Sequence, residues 1–251
     1  MKSPCSVGNP HLRCSVEARL PECLSAPPYL KRGSVGGLVH SLSATAKHPS
    51  YQAPIERPQP ALASVGMYPV DRHSARLSLR ELVIDDVEAV HSIYGNAEAT
   101  AHLSFTPRSR EEVGRIVSRS IASAADSPRV EYALGVVQRD SGDVIGFARL
   151  AMDPHQQRAA TIGFALRPDS WRVGYGRETV RLLLTLAFID LDLHRVWAAR
   201  APMNTASAKT LLASGMTEEG VIRGHVHVHG AWRDSITYGI LREEWSAGEE
   251  S

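Results

Sequence analysis

The stretch from Arg158 to Leu191 constrains the fold most, because it predicts a strand, a glycine-containing loop and a long helix in immediate succession. The segment RAATIGFALRP reads as a strand and ends at Pro168, which cannot continue the ladder of hydrogen bonds. A helix is predicted after Gly174 and Gly176. Its apolar residues recur at the spacing of one buried face: Val180, Leu183, Leu184, Ala187, Phe188 and Leu191.

The segments around this unit carry further strand and helix patterns. RLSLREL alternates apolar and polar residues, as a half-buried strand does. Two helices are predicted next, one begun by Asp85 or Asp86 and one by Ser109, where Glu112 completes a capping box. A hairpin, the strand of the first unit, its helix, a further strand, a short helix and a final hairpin complete the pattern. The order β-α-α-β-β-β-α-β-α-β-β predicts an α/β (α+β) fold, a mixed sheet with helices on both faces.

The first 75 residues lack such patterns. They hold ten of the 15 prolines and eight Lys or Arg against four Asp or Glu. Such a segment cannot bury enough apolar surface to offset its chain entropy. We therefore predict that residues 1–75 are disordered and that residues 76–248 form the folded domain. The basic, Ser-rich composition also fits a transit peptide, and a third interpretation is that translation starts at Met67.

Bulk composition argues against several functional classes. The net charge of +1 gives no argument for nucleic acid as a partner. No run of about 18 apolar residues is present, so no membrane-spanning helix is predicted. All three cysteines lie within the first 23 residues, which leaves the predicted domain without a disulfide framework or a cysteine-based metal site. A cytoplasmic location is expected.

The glycine pair suggests a site for an anion. The first N–H groups of a helix have no partner within it, the helix dipole adds partial positive charge, and glycine lets the backbone approach a ligand closely. Such a loop suits a pyrophosphate, and Arg172 and Arg177 add positive charge at its rim. Plain turns also contain this pair. The spacing fits neither a dinucleotide fold, which needs a third glycine, nor a P-loop, which needs Gly-Lys-Ser/Thr.

The residues around the glycine pair resemble the GNAT N-acetyltransferase superfamily, in particular its RimJ/RimL-like branch of ribosomal-protein alanine N-acetyltransferases. The blocks IGFALRPDSWRVGYGRETVRLLLTLAF, LHRVWAARAPMNTASAKTLLASG and GAWRDSITYGILREEW carry the resemblance, which spans Arg76 to Trp245. It implies a mostly antiparallel sheet of about seven strands, in which two central parallel strands splay apart, often with a bulge.

The resemblance also implies a site for acetyl-CoA. In the family the pattern Gln/Arg-x-x-Gly-x-Gly/Ala binds the pyrophosphate through its backbone, and Trp171 here replaces the Gln or Arg. The preceding strand would lie beside the pantetheine arm, with a backbone N–H polarising the acetyl carbonyl. An Asn-x-x-Ser pattern contacts CoA in relatives, although Asn and Ser are also favoured helix caps. The predicted cofactor-binding residues are Phe164, Ala165, Leu166, Arg172, Val173, Gly174, Tyr175, Gly176, Arg177, Asn204 and Ser207.

The groups that transfer protons are less defined. Many relatives carry a Tyr seven residues after the Asn to protonate the leaving thiolate, but this chain has Leu211, so Ser207 is the predicted acid. The acceptor amine must also lose a proton. HVHVH predicts three histidines on one strand face, which is equally consistent with a solvated face, and no zinc site is predicted because no fourth ligand can be named. The candidate bases are Glu81, Glu98, His225 and His227.

We therefore predict an enzyme that transfers the acetyl group of acetyl-CoA to a primary amine by direct attack. The acceptor is a protein N-terminus or a small molecule. A non-catalytic, regulatory acyl-CoA-binding module is the alternative, because the family's Tyr is missing and the base is undefined. A nucleotide-binding α/β domain is a third hypothesis. Acetyl-CoA and an amine are the predicted partners of a monomer or homodimer, without metal, nucleic acid or membrane.

Overall fold

The computed structural model describes residues 68–245, which form an eight-stranded sheet and five α-helices. The strands are β1 (Asp71–His73), β2 (Leu77–Glu81), β3 (Glu131–Gln138), β4 (Val144–Met152), β5 (Ala159–Leu166), β6 (Arg195–Arg200), β7 (Thr217–Val228) and β8 (Ala231–Leu241). The helices are α1 (Val87–Tyr94), α2 (Ala97–Thr100), α3 (Arg110–Ser123), α4 (Tyr175–Thr185) and α5 (Thr205–Ala213), and a π-helical turn, Leu186–Asp190, extends α4.

The strand order is β1-β2-β3-β4-β5-β6-β8-β7, and every neighbouring pair is antiparallel except β5 and β6. The predicted mixed, mostly antiparallel sheet is therefore confirmed, with eight strands in place of about seven. The seven strands predicted from the sequence pattern correspond to β2 through β8. The additional strand, β1, escaped prediction because three residues are too few to show a period.

Strand β1 also corrects the predicted start of the fold. Strand β1 lies inside the segment predicted to be disordered, yet it pairs with β2, and Val70 before it is 1% exposed. The backbone N–H of Val70 donates to the Glu81 carboxylate at 3.0 Å, which fixes the chain ahead of Arg76. Residues 1–67, including the alternative start at Met67, lie outside the described residues, and the predictions made for them stay predictions.

Two apolar cores confirm that helices cover both faces of the sheet. One core joins the sheet to α4 and α5 and includes Leu183 and Phe188, both fully buried. The other joins it to α1 and α3 through Ile93 and Val117. Among the described residues, no helix combines the length and the apolar character that crossing a membrane requires.

Local signals fixed some helix ends but not others. The capping box of α3 is confirmed: Ser109 Oγ accepts from the Glu112 N–H at 3.2 Å, and the Glu112 carboxylate accepts from the Ser109 N–H at 2.8 Å. Asp86 precedes α1 as predicted, but its side chain makes no cap hydrogen bond and instead binds Arg80. Helix α2 was missed because its four residues carry no helical period; Asn96 caps it.

The predicted alignment of three histidines on one strand face was wrong. The β7–β8 pairing is irregular between Ile222 and Val226, and β7 ends at Val228, one residue before His229. His229 lies in the turn after β7, with a φ of 53°. His225 and His227 remain on β7, and both are exposed.

Candidate active site

The two central parallel strands separate and open the sheet. The pairing of β5 with β6 covers three residue pairs and ends at Thr161 opposite Trp197. Strand β5 nevertheless remains paired with β4 as far as Leu166, and β6 remains paired with β8 as far as Arg200. Gly163 is exposed although it lies in the middle of the sheet. The splay implied by the family resemblance is present, but the β4–β5 register is continuous, so β5 carries no bulge against β4.

A cleft of about 690 Å³ lies where the strands separate. Four segments line it: α2 with the loop that follows, the end of β5, the loop before α4 with the start of that helix, and α5 with the residues before it. The sequence-predicted residues among its walls are Glu98, Phe164, Ala165, Leu166, Arg172, Gly174, Gly176, Arg177, Asn204 and Ser207. The fold thus brings together segments more than 100 residues apart in the chain.

The glycine loop has the backbone shape of an anion cradle. Arg172 and Gly174 both adopt left-handed conformations, with φ of 64° and 91°, and Gly174 is the N-cap of α4. Alternating left-handed residues turn successive N–H groups toward one side, next to the free N–H groups of the helix start. The Trp171 indole donates to the Leu166 carbonyl at 2.8 Å and so ties the loop to the end of β5.

The start of α5 forms the wall beside this loop. Asn204 Oδ1 accepts from the Ser207 N–H at 3.0 Å, so Asn204 is the helix cap that its residue type predicts. Its amide nitrogen makes no hydrogen bond with the part of the chain described here, and both residues line the cleft. Leu211, which replaces the family's Tyr, is 1% exposed and packs in the core, so it presents nothing to the cleft.

The wall formed by α2 and the loop after it carries a different charge. Of the described residues that line the cleft, Glu98 is the one carboxylate, and His102 follows it in the loop after α2. Arg233 on β8 donates to the carbonyls of His102 and Leu103 at 3.2 and 3.1 Å, which holds this wall against the sheet. Burial lowers the pKa of Arg233. Arg172, Arg177 and Lys209 make the loop side of the cleft positive.

Several predicted residues lie away from the cleft. His225 and His227 are outside its lining, and the His227 ring packs against Trp232 with 5.2 Å between centroids. Glu81 forms a bidentate ion pair with Arg129. Val173 and Tyr175, which flank Gly174, are not among the residues that line the cleft. No group of three or more metal-binding side chains occurs among the described residues.

The structure adds cleft residues that the sequence reasoning missed. Lys209 and Thr210 lie one turn beyond Ala206 and Ser207 on α5, so helical spacing from the Asn-x-x-Ser pattern would have found them. His102 and Leu103 had no local signal, because they reach the cleft only through the short helix α2.

Comparison with known proteins decides what kind of site this is. Residues 76–217 match the family described as the Acetyltransferase (GNAT) domain. The chain belongs to the GNAT acetyltransferase family. It is an acetyl-CoA-dependent N-acetyltransferase by family, and the superfamily resemblance read from its sequence is confirmed.

Other GNAT acetyltransferases cover the same part of the chain. The uncharacterized N-acetyltransferase YoaA of Bacillus subtilis is 27% identical over 176 residues, which are 70% of this chain and 98% of YoaA. The ribosomal-protein-S5-alanine acetyltransferase structure from Vibrio fischeri has a TM-score of 0.57 at 21% identity and covers 70% of this chain and 99% of its own. The spermidine N-acetyltransferase from Vibrio cholerae, solved with CoA and spermine, has a TM-score of 0.60 at 21% identity. The match covers 68% of this chain and 98% of that protein.

Acetyl-CoA, the cosubstrate of GNAT enzymes, fits the residues present. The gap between β5 and β6 leaves the inner edge of β5 without a strand partner beyond Thr161, so an extended arm can bond there. The left-handed loop and the start of α4 supply N–H groups for a pyrophosphate, and three cations lie around them. All the predicted cofactor residues except Val173 and Tyr175 thus line one cleft, and their individual contacts stay predictions.

Proposed function

We propose that this GNAT acetyltransferase acetylates the α-amine of a peptide or protein N-terminus. The observation that carries the proposal is Glu98 on α2, the one carboxylate among the described residues that line the cleft. An N-terminal ammonium brings one positive charge, which one carboxylate matches. A polyamine brings several, and the cleft offers three cations and one carboxylate, a balance that disfavours it.

The relatives alone leave the acceptor open, because their printed names include both a ribosomal-protein alanine acetyltransferase and a spermidine acetyltransferase. The charge of the cleft is therefore the argument for an acceptor with one amine. The sequence resemblance to ribosomal-protein alanine N-acetyltransferases agrees with it. A small molecule with a single primary amine is the second candidate, since it presents the same charge to Glu98.

The protein's own groups suit direct attack. Acetyl-CoA supplies an acetyl group that is already activated as a thioester, so holding the two substrates together contributes much of the rate. Glu98 attracts the ammonium and accepts its proton, directly or through water. Backbone N–H groups at the end of β5 would stabilise the developing negative charge on oxygen. Ser207 is the proposed donor of a proton to the thiolate, because Leu211 is buried and has no proton to give.

Release of free thiol from acetyl-CoA across a panel of amines tests the proposal. The panel contains peptides with N-terminal Ala and Ser, the same peptides with a blocked α-amine and a free lysine, spermidine, and a small monoamine. We expect thiol release with the free peptides and none with their blocked counterparts. Faster turnover of spermidine than of any peptide would overturn the assignment of the acceptor.

The non-catalytic alternative makes a different prediction in the same assay. A regulatory acyl-CoA-binding module would bind CoA in calorimetry and release no thiol with any amine. Glu98 in the cleft argues against that outcome, because a module that only binds acyl-CoA has no need of a carboxylate on the acceptor side.

A further inference from the structure

One arginine at the beginning of the sheet reaches the glycine loop. Arg76 directly precedes β2, and its Nη1 donates to the Val173 carbonyl at 3.0 Å. Its guanidinium carbon lies 4.7 Å from the centre of the Tyr175 ring. Through these contacts a residue about 100 positions away in the chain holds the loop that enters α4.

The hydrogen bond to Val173 sets the direction of the next N–H group. A trans peptide is planar, so the carbonyl of one residue and the N–H of the next point in opposite directions. Arg76 lies outside the cleft lining and Gly174 within it, so a Val173 carbonyl held toward Arg76 directs the Gly174 N–H toward the cleft. Arg76 also packs closely here, since a Cβ on Gly174 would lie 3.2 Å from its Nη2.

A carboxylate holds the arginine in turn. Arg76 Nε and Nη2 donate to Glu178 Oε2 at 2.9 and 2.7 Å, and the backbone N–H of Arg76 donates to Oε1 at 2.9 Å. The Ser74 hydroxyl donates to the same carboxylate at 2.5 Å. Burial raises the pKa of Glu178, but the bonds from Ser74 and Arg76 outweigh it and hold the pKa below its usual value. The charge of Arg76 is therefore balanced within the protein.

We propose that Arg76 is a positioning residue for the acetyl donor: it turns the Val173–Gly174 peptide so that the loop presents its N–H group to the donor's pyrophosphate. This rests on the proposed function only in taking acetyl-CoA as the donor. Arg76 acts through the backbone and does not itself bind phosphate, because Glu178 and the Val173 carbonyl occupy its guanidinium.

Comparing two acetyl donors, acetyl-CoA and S-acetylpantetheine, distinguishes this role from a general structural one. S-acetylpantetheine carries the thioester and pantetheine arm of acetyl-CoA but no pyrophosphate. In Arg76→Met we expect the KM for acetyl-CoA to rise about tenfold or more, with kcat within about twofold. The kcat/KM for S-acetylpantetheine and the KM for the amine should stay at their wild-type values. Arg76→Lys, which keeps the charge but has no fork to reach two partners, should give an intermediate KM.

Arg80→Met is the matched control. Arg80 lies on β2, the strand that Arg76 precedes, and also binds a carboxylate, Asp86, but it has no contact with the loop. Its loss should affect both donors equally. An equal loss with both donors in Arg76→Met, or an unchanged KM for acetyl-CoA in the folded variant, would overturn the proposal.

A binding measurement keeps this test independent of turnover. If no amine is acetylated, calorimetry with CoA and with pantetheine replaces the kinetic assay. Weaker binding of CoA by the Arg76 variants, with unchanged binding of pantetheine, supports the proposal even then. If Arg76→Met fails to fold, Arg76→Lys carries the same comparison, and equal affinity of wild type and Arg76→Lys for CoA would contradict it.

Discussion

Gly176 is a residue whose missing side chain shapes the donor side of the cleft. It is the second residue of α4, and a Cβ there would lie 3.4 Å from Thr210 Oγ1 and 3.6 Å from Phe164 Cε2. A single methyl group therefore fits in ordinary contact, whereas the branches of a valine would extend into the space beside the loop. The glycine lets α5 and a ligand approach the helix start closely.

We expect Gly176→Val to weaken CoA binding by about tenfold or more, and Gly176→Ala to weaken it less. Isothermal calorimetry with CoA measures both. Gly114→Ala on α3 is the control, because nothing lies within 4 Å of the added Cβ, and its affinity should match wild type. Wild-type affinity in a folded Gly176→Val protein would refute the assignment of the loop to the pyrophosphate.

Glu98 is the residue on which the acceptor side depends. We expect Glu98→Gln to lower kcat/KM for the amine by about 10², the lower range for loss of a general base, because proximity still supplies part of the rate. The double variant His225→Gln/His227→Gln should keep wild-type kcat/KM, since both histidines lie outside the cleft lining. Steady-state kinetics at saturating acetyl-CoA measures the difference. A larger loss in His102→Gln than in Glu98→Gln would move the proton acceptor to His102.

At the scale of elements, an ion pair between Arg80 and Asp86 holds the turn between β2 and α1, whereas the sequence pattern predicted Asp86 as a helix cap. Arg80 donates to Asp86 in bidentate fashion at 2.7 and 2.9 Å, and the Val83 N–H donates to the same carboxylate at 2.8 Å. Burial of Asp86 raises its pKa, but the bonds from Arg80 and Val83 outweigh it, so the pKa lies below its ordinary value of 3.8. The ionised form thus stabilises the fold.

This stabilisation is present above the ordinary pKa of 3.8 and is lost as the pH falls through the lower pKa of the folded state. We expect Asp86→Asn to lower the free energy of unfolding by about 1–3 kcal/mol at pH 7, a range that allows for the partial exposure of Arg80. The difference from wild type should shrink as the pH falls below 3.8. Urea unfolding at several pH values measures it. Asp85→Asn, one residue earlier and exposed, should have little effect at any pH.

At the scale of the whole molecule, the chain before β2 is part of the fold. Val70 is buried, and Arg72 on β1 binds Asp190 at the end of the π-helical turn, with 2.6 Å between Arg72 Nε and Asp190 Oδ2. The Asp190 side chain is 5% exposed. Removing β1 would leave this carboxylate without its arginine and uncover the edge of β2.

Two truncated chains test where the folded domain begins. We propose that a chain starting at Met67 keeps the fold, and we expect it to unfold within about 2 °C of the full-length protein. For a chain starting at Arg76 we expect the free energy of unfolding to fall by about 3 kcal/mol or more, which lowers the melting temperature by roughly 6–12 °C. Differential scanning calorimetry compares the three. Equal melting temperatures for both truncated chains would show that β1 contributes nothing.

Much of this architecture is readable from the sequence, because it follows local periods. The strand that ends before Pro168, the left-handed Gly174 and the capping box at Ser109 each depend on residues close together in the chain. The cleft residues that the family pattern marks, from Phe164 to Ser207, follow for the same reason. The short elements β1 and α2 do not, because three or four residues carry no period.

The sequence by itself determined the order of most elements, the glycine loop and the family resemblance, since these lie in contiguous motifs. Only the tertiary structure decided which charged groups meet. It placed Glu98 in the cleft and His225 and His227 outside it, and it paired Asp86 with Arg80 in place of the predicted cap. It also brought Arg76 against Val173. The physical reason is that such contacts join segments distant in the chain, and their geometry depends on strand register and sheet order, which no local period encodes.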